Sequence, residues 1–280
     1  MSDADGYRYG DFVAIMKPMV EYGAEFGRLT EDLIDLLPSS LQIIAAGGAG
    51  FDWADTEELG KRGIWYCNGA GAVDEATSDI ALYLIIAVFR LTSKGELAAR
   101  SGSTEKYNET HNLLGKIARN PRDKILGCVG LGMIGSATAR KVRGSIGMKV
   151  HYYDPVRASK QVEEELGLTY HDTLDSLLAI ADCVNVSVPL SPATRHLINK
   201  ETIAKMKDGV RFVNTARGQV VDEDALVEGL KSGKIFSAGL DVHYDEPNVF
   251  PAVAMLRIGS SGIAGNGECD FVASYWWSCC

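Results

Sequence analysis

Four residues between positions 130 and 154 have the types and spacing to hold a dinucleotide. Gly130, Gly132 and Gly135 stand in G-x-G-x-x-G register, and Asp154 follows the third glycine by 154 − 135 = 19 residues. In that pattern the first glycine permits a tight turn, the second lets backbone approach a pyrophosphate, and the third lets a helix pack on a strand. Amides at the start of the helix then face the phosphate charge. A carboxylate at the spacing of Asp154 accepts hydrogen bonds from a ribose 2′-hydroxyl, which favours NAD over NADP. Arg157, three residues on, could soften that preference.

The elements needed to position these residues are present. Ile125–Val129 is an apolar run, Ser136–Val142 is helix-compatible, and Met148–Tyr153 is a second β-rich run. Further strands are predicted at Leu168–Tyr170, Cys183–Val188, Val210–Asn214 and Ile235–Leu240. The intervening helices are one opened by Thr173, one near Glu201–Met206 and one opened by Asp222. The last carries Glu223 and Asp224 in its first turn and Lys231 and Lys234 near its end, matching the helix dipole at both ends. Alternation of this kind predicts an α/β fold with a doubly wound parallel Rossmann sheet.

Residues 1–92 read as a second, smaller and incomplete α/β unit that would carry the substrate, 93–247 as the dinucleotide unit, and 248–280 as an aberrant tail. In the first unit, strands are predicted at Leu41–Ala46 and Ile64–Cys67, the former running into a glycine turn at Gly47–Gly50. Thr77–Leu91 is apolar around most of a helix, as expected where a helix is wedged between domains. Thr92–Arg122 is polar and turn-rich and reads as linker.

Composition narrows the class. The chain has 280 residues, 46% of them hydrophobic, and a net charge of −9 with a pI near 5.1. This excludes a disordered chain and argues against a nucleic-acid binder, whose footprint is a basic patch. Met1–Gly10 lacks the basic start and apolar middle of a secretory signal, so a cytoplasmic protein is expected. The most apolar stretch, Ile80–Phe89, is about half the length of a spanning helix, so no membrane role is expected. Cys67, Cys128 and Cys183 are expected as reduced core residues, whereas Cys269, Cys279 and Cys280 lie in the tail. Without C-x-x-C spacing, no metal is expected.

Ligands of open α/β sheets bind beyond the carboxyl ends of the strands. Two such ends carry suitable groups: Asn214–Gly218 after one strand, and Asp241 through Glu246 after the next. Arg217 offers a planar fork for a carboxylate, and Glu246 could orient or raise the pKa of a histidine.

These residues resemble the D-isomer-specific 2-hydroxyacid dehydrogenases, which include glyoxylate, hydroxypyruvate and D-lactate reductases. The resemblance covers roughly Leu41 to Pro247. It rests on GGAGFD (47–52), NGAGAVDEATSD (68–79), VGLGMIG (129–135), VPLSPATRHLIN (188–199), VNTARGQVVDEDAL (213–226) and AGLDVHYDEP (238–247). It implies two α/β domains, the incomplete one flavodoxin-like, around a cleft, usually as a homodimer. It further implies that Arg217 holds a small 2-oxo acid and polarises its carbonyl, and that Glu246 pairs with a catalytic histidine. Amides of Gly48, Ala49 and Gly50 would cradle the substrate carboxylate. Met133 and Ile134 would lie against the pyrophosphate, Asp154 would hold the adenosine ribose, Pro189, Thr194 and Thr215 would belong to the cofactor site, and Asp241 would meet the nicotinamide amide.

The chain also departs from that pattern. The family's catalytic histidine follows the E-P pair, but the five histidines here are at 111, 151, 171, 196 and 243. His243 is the nearest substitute, at a position where relatives carry assorted residues. After Pro251 the sequence, ending SSGIAGNGECDFVASYWWSCC, carries neither strand alternation nor a helical stripe, and the opening βα units of the first domain are missing before Asp11. A truncated or frame-shifted reading frame is the expectation, with weak turnover as its consequence. Two alternatives remain open: a non-catalytic NAD-binding regulator or scaffold resembling the C-terminal-binding-protein corepressors, and another NAD enzyme such as a formate dehydrogenase.

Overall fold

The computed structural model describes residues 2–3, 6–7, 11–17, 27–246 and 270–273. Pro247 and the tail cysteines lie outside them. Two compact units are present, which among the described residues comprise those up to Asp74 and those from Glu75 on.

In the first unit, β1 (Ser2–Asp3) and β2 (Gly6–Tyr7) pair antiparallel, and β3 (Ala14–Lys17), β4 (Ile43–Ala46) and β5 (Trp65–Cys67) form a parallel sheet in that order. Helices α1 (Glu31–Ile34) and α2 (Thr56–Lys61) accompany it. Strand alternation sends Ile44 into a core with Ile34, Leu41, Ala54 and Leu59, while Met16, Ile43 and Trp65 on the opposite face stay exposed. Cys67 shares the face of Trp65 and is exposed, which corrects its expected core position. The β3 strand, AIMK, was not signalled by the sequence, because four residues are too few to display a period.

The second unit opens with α3 (Asp74–Arg90), longer at its start than the periodicity predicts, and includes it within the unit. Two helices follow, α4 (Thr92–Arg100) and α5 (Thr104–Ile117). They overturn the linker reading of Thr92–Arg122. Ser103 caps α5 by accepting the Lys106 amide, and the polar composition arises because no α5 residue is buried. The strands are β6 (Ile125–Val129), β7 (Lys149–Tyr153), β8 (Leu168–Tyr170), β9 (Cys183–Val186), β10 (Val210–Asn214), β11 (Ile235–Leu240) and β12 (Asp270–Ala273). Their helices are α6 (Met133–Ile146), α7 (Lys160–Leu166), α8 (Leu174–Leu178), α9 (Lys200–Lys205) and α10 (Glu223–Ser232).

The sheet order is β12-β11-β10-β9-β6-β7-β8, parallel throughout. All six strands predicted after Ile125 are therefore in place. β12 is a correction: the tail sequence predicts no strand, yet Asp270–Ala273 pairs with Ser237–Leu240 at the sheet edge. Pairing to an existing edge supplies what a four-residue segment cannot signal alone.

Each sheet face has its own core. One gathers Leu177, Leu178, Val184, Val186, Phe212 and Leu226, and the other Leu84, Val88, Leu126, Val142, Val150 and Val213. Helix α3 is fixed onto the second face by Ser237 Oγ, which donates to the Val88 carbonyl at 2.8 Å. Lys141 of α6 holds the first turns of α3 through Asp79 (2.6 Å) and Glu75 (2.8 Å). Strand order reverses between β6 and β9, so the crevice beyond their carboxyl ends is the switch point where ligands bind in such sheets.

Candidate active site

The glycine loop sits at that switch point. Gly130 has φ +91, and a Cβ there would lie 2.7 Å from the Ser187 carbonyl oxygen and 2.8 Å from Val188 Cγ1. A Cβ on Gly135 would lie 2.5 Å from the Gly130 oxygen, so the third glycine serves close packing of α6 on the loop. Gly132 differs: it precedes the first turn of α6, and a Cβ there meets nothing within 4 Å. That open space is what a phosphate approaching backbone requires. Met133, 60% exposed, and the half-buried Ile134 begin the helix.

Asp154 lies just past β7 and is fastened at both oxygens. Oδ2 accepts the Leu131 amide and Oδ1 the Val156 amide, each at 2.9 Å. The Leu131 bond ties the carboxylate to the glycine loop, and each oxygen keeps a lone pair for a ribose hydroxyl. Arg157 is committed elsewhere. Its guanidinium grips Glu163 in a bidentate pair at 2.9 Å and lies 4.9 Å from the Tyr170 ring centroid. Arg157 and the Tyr152 hydroxyl together hold the Glu163 carboxyl down to about 2.

Beyond β9, Pro189 is exposed and its carbonyl accepts the Thr194 hydroxyl at 2.6 Å. Thr194 Oγ1 also accepts the Ser191 amide at 2.8 Å, so this residue staples the loop on which Pro189 stands.

The strand end at β10 is organised by Asn214, a buried residue the sequence reading used only as part of a motif. Its Oδ1 accepts the Ala216 amide and its Nδ2 donates to the Arg217 carbonyl, both at 3.0 Å. Its own carbonyl accepts the Asp241 amide at 3.0 Å, which joins the two strand ends. Within the turn, Thr215 is 7% exposed and its hydroxyl meets no hydrogen-bonding partner. A buried orphan hydroxyl costs roughly 1–3 kcal/mol unless something bonds it, so Thr215 has hydrogen-bonding capacity left over at the strand end.

Gly218 and Glu223 shape the same strand ends, and no local pattern marks either. A Cβ at Gly218 would overlap the His243 carbonyl carbon and oxygen, so this glycine lets the loop after Arg217 press against the loop carrying Glu246. Glu223 Oε1 accepts the Tyr244 amide at 2.9 Å, and Glu246 Oε1 accepts the His243 amide at 2.6 Å. Two carboxylates thus hold consecutive amides of one turn. Burial raises the pKa of Glu223, against the Tyr244 amide. His243 is 8% exposed; burial lowers its pKa, opposed by the charges of Glu223 and Asp241.

In the first unit, Gly48 has φ +78 in the turn after β4, with Ala49 and Gly50 beside it. Amides of all three donate to no acceptor among the described residues. No cluster of metal-binding side chains occurs among the described residues, and no single helix there is long and apolar enough to cross a membrane.

A Rossmann-type dinucleotide-binding protein is the class that this sheet and its switch point define, and three observations fit NAD to it. They are the open space at Gly132, the doubly anchored Asp154 and the orphan hydroxyl of Thr215. The NAD-binding domain model of the D-isomer specific 2-hydroxyacid dehydrogenases matches residues 82–256, and the chain belongs to that family, with NAD as its cofactor.

The chain is 40% identical over 216 residues to dehydrogenase efuE of Hormonema carpetanum, covering 77% of this chain and 52% of that one. It is 38% identical over 220 residues to a glyoxylate reductase of Thermococcus litoralis, covering 79% and 65%. The holo form of Rhodotorula graminis D-mandelate dehydrogenase superimposes with a TM-score of 0.87 at 47% identity, covering 95% of this chain and 74% of that one. The chain thus spans between about half and two thirds of the length of these curated relatives.

Proposed function

We propose that this chain is the NAD-binding part, with a portion of the substrate domain, of an oxidoreductase that interconverts a small 2-oxo acid of glyoxylate or hydroxypyruvate type with its D-2-hydroxy acid. The observation that carries the reading is the joining of the Arg217 turn to the Glu246 turn through Gly218, in a family whose relatives include a glyoxylate reductase. NAD supplies or accepts the hydride. Met133 and Ile134 begin the helix that meets the pyrophosphate, Asp154 takes the ribose, and Pro189, Thr194 and Thr215 border the cofactor. Asp241 holds the nicotinamide amide. Arg217 binds and polarises the substrate carbonyl, and Gly48, Ala49 and Gly50 donate to its carboxylate. The working protein is a cytoplasmic homodimer.

Glu246 is the group that would orient a proton-donating histidine, and His243 is the last histidine in the 280 residues. His243 is itself buried. Turnover by this polypeptide is therefore low, since a missing general acid costs about 10²- to 10⁴-fold. The same observation favours, as a second reading, a non-catalytic NAD-binding regulator. Oxidation of NADH by the purified chain with glyoxylate or hydroxypyruvate separates them. Slow, substrate-dependent turnover abolished by Arg217→Met supports the enzyme, and NADH binding without turnover supports the regulator.

A further inference from the structure

The proposed carboxylate cradle at Gly48–Gly50 has a backing whose parts have no assigned role. Three consecutive carbonyls are each held from the β5 side. The Gly69 amide donates to the Gly48 carbonyl at 2.7 Å, Asn68 Nδ2 to the Ala49 carbonyl at 2.8 Å, and the Tyr66 hydroxyl to the Gly50 carbonyl at 3.3 Å. Each donor is itself set. Asn68 Oδ1 accepts the Ala70 amide at 3.3 Å, which fixes which end of the side-chain amide faces Ala49. The Tyr66 hydroxyl accepts Trp53 Nε1 at 2.8 Å while it donates to Gly50. Trp53 lies under the Lys17 ammonium, 4.7 Å from the ring centroid, and the Lys17 carbonyl takes the Gly47 amide at 2.9 Å. A side chain on Gly69 would sit 3.1 Å from the Gly48 nitrogen, so these two segments approach closely there.

A trans peptide is planar, with its N–H antiparallel to its C=O. Holding one carbonyl therefore aims the next residue's amide the opposite way. Gly69 in this manner aims the Ala49 amide, Asn68 the Gly50 amide and Tyr66 the Phe51 amide. The Phe51 amide, like the three before it, donates to no acceptor among the described residues.

We infer that Asn68 and Tyr66 are positioning residues that aim the Gly50 and Phe51 amides at the substrate carboxylate, making Phe51 N–H a further donor of the cradle. This rests on the reading of Gly48–Gly50 as the carboxylate site. Neither side chain touches substrate; both act through the backbone they hold.

The test uses the full chain saturated with NADH and titrated with oxamate, the monoamide of oxalate, comparing wild type, Asn68→Ala and Tyr66→Phe. The phenylalanine variant keeps the ring against Trp53 and removes only the hydroxyl. Each variant is expected to bind oxamate about tenfold more weakly, as loss of one well-aimed hydrogen bond implies, while binding NADH as wild type does. In wild type, oxamate should shift the amide resonances of Ala49, Gly50 and Phe51. Variants that bind oxamate like wild type overturn the inference, as do variants that lose NADH and oxamate binding together, since the residues then serve the fold at large. Wild type that binds oxamate without moving these amides, or does not bind it, overturns the cradle reading itself and the inference with it.

Discussion

Gly218 stands so close to His243 that a single added carbon at Gly218 would overlap the His243 carbonyl group. The relationship couples the turn that carries Arg217 to the turn that carries Glu246, although 29 residues (246 − 217) separate them in sequence. Gly218→Ala should force the turns apart. Overpacking of this kind costs about 1–3 kcal/mol, so a lower Tm is expected, with NADH affinity lowered as well, because the same two turns carry Thr215 and Asp241, which by proposal border the cofactor. An unchanged Tm would mean that the His243 turn yields freely.

Asp154 presents both oxygens to backbone amides and, by proposal, to the ribose. Asp154→Asn keeps one acceptor but removes the charge and turns the other atom into a donor facing an N–H. NADH affinity should fall about tenfold, as for the loss of one charge-assisted hydrogen bond. Discrimination against NADPH should narrow as well, because the charge that repels a 2′-phosphate is gone, but it should not reverse, because Arg157 remains occupied by Glu163. Fluorescence titrations with both nucleotides measure this, and equal NADH affinity in the two proteins would remove Asp154 from the site.

Stability should depend on pH through a histidine pair. His151 Nδ1 lies 3.0 Å from His171 Nε2, and His171 Nδ1 lies 3.1 Å from Ser176 Oγ. Burial first, then the charges of His171 and Lys149, lowers the His151 pKa from 6.5. A lowered folded pKa means that the unfolded chain binds the proton more readily. The stabilisation is complete above about pH 6.5, where His is neutral in both states, and is lost as pH falls through the folded pKa. Buried His243 acts in the same direction. Tm should decline on acidification from about pH 7, and His151→Gln should flatten part of that decline. An identical pH profile in the variant would dismiss the pair as its source.

Thiol reactivity should divide by burial. Cys67 is exposed, whereas burial pushes the Cys128 thiol up to about 12 and raises that of Cys183 as well. Thiolate is the reacting form. Brief iodoacetamide treatment followed by peptide mass spectrometry should find Cys67 alkylated and Cys128 and Cys183 protected until denaturant is added.

Much of the second unit was legible in the sequence because its signals are local. The glycine spacing, the apolar β-branched runs and the caps at Thr173 and Asp222 each act within a few residues, and the sheet formed where they pointed. What failed to show was whatever depends on a distant neighbour. Helices α4 and α5 bury little, so they carry no strong apolar stripe to distinguish them from linker. β12 becomes a strand by pairing with β11, and Cys67 is exposed because its sheet face has no covering layer among the described residues.

The candidate site divides along the same line. Residue types and spacing alone determined the dinucleotide grip and marked Asp154, Arg217, Asp241 and Glu246 as groups at strand ends. Only the tertiary structure decided what holds them and what they are free to do. Asn214 bridges two strand ends, Gly218 admits the His243 turn, Glu163 occupies Arg157, and Tyr66 and Asn68 back the glycine turn. These are contacts between segments far apart in sequence, set by packing and hydrogen-bond geometry, and no local pattern encodes them.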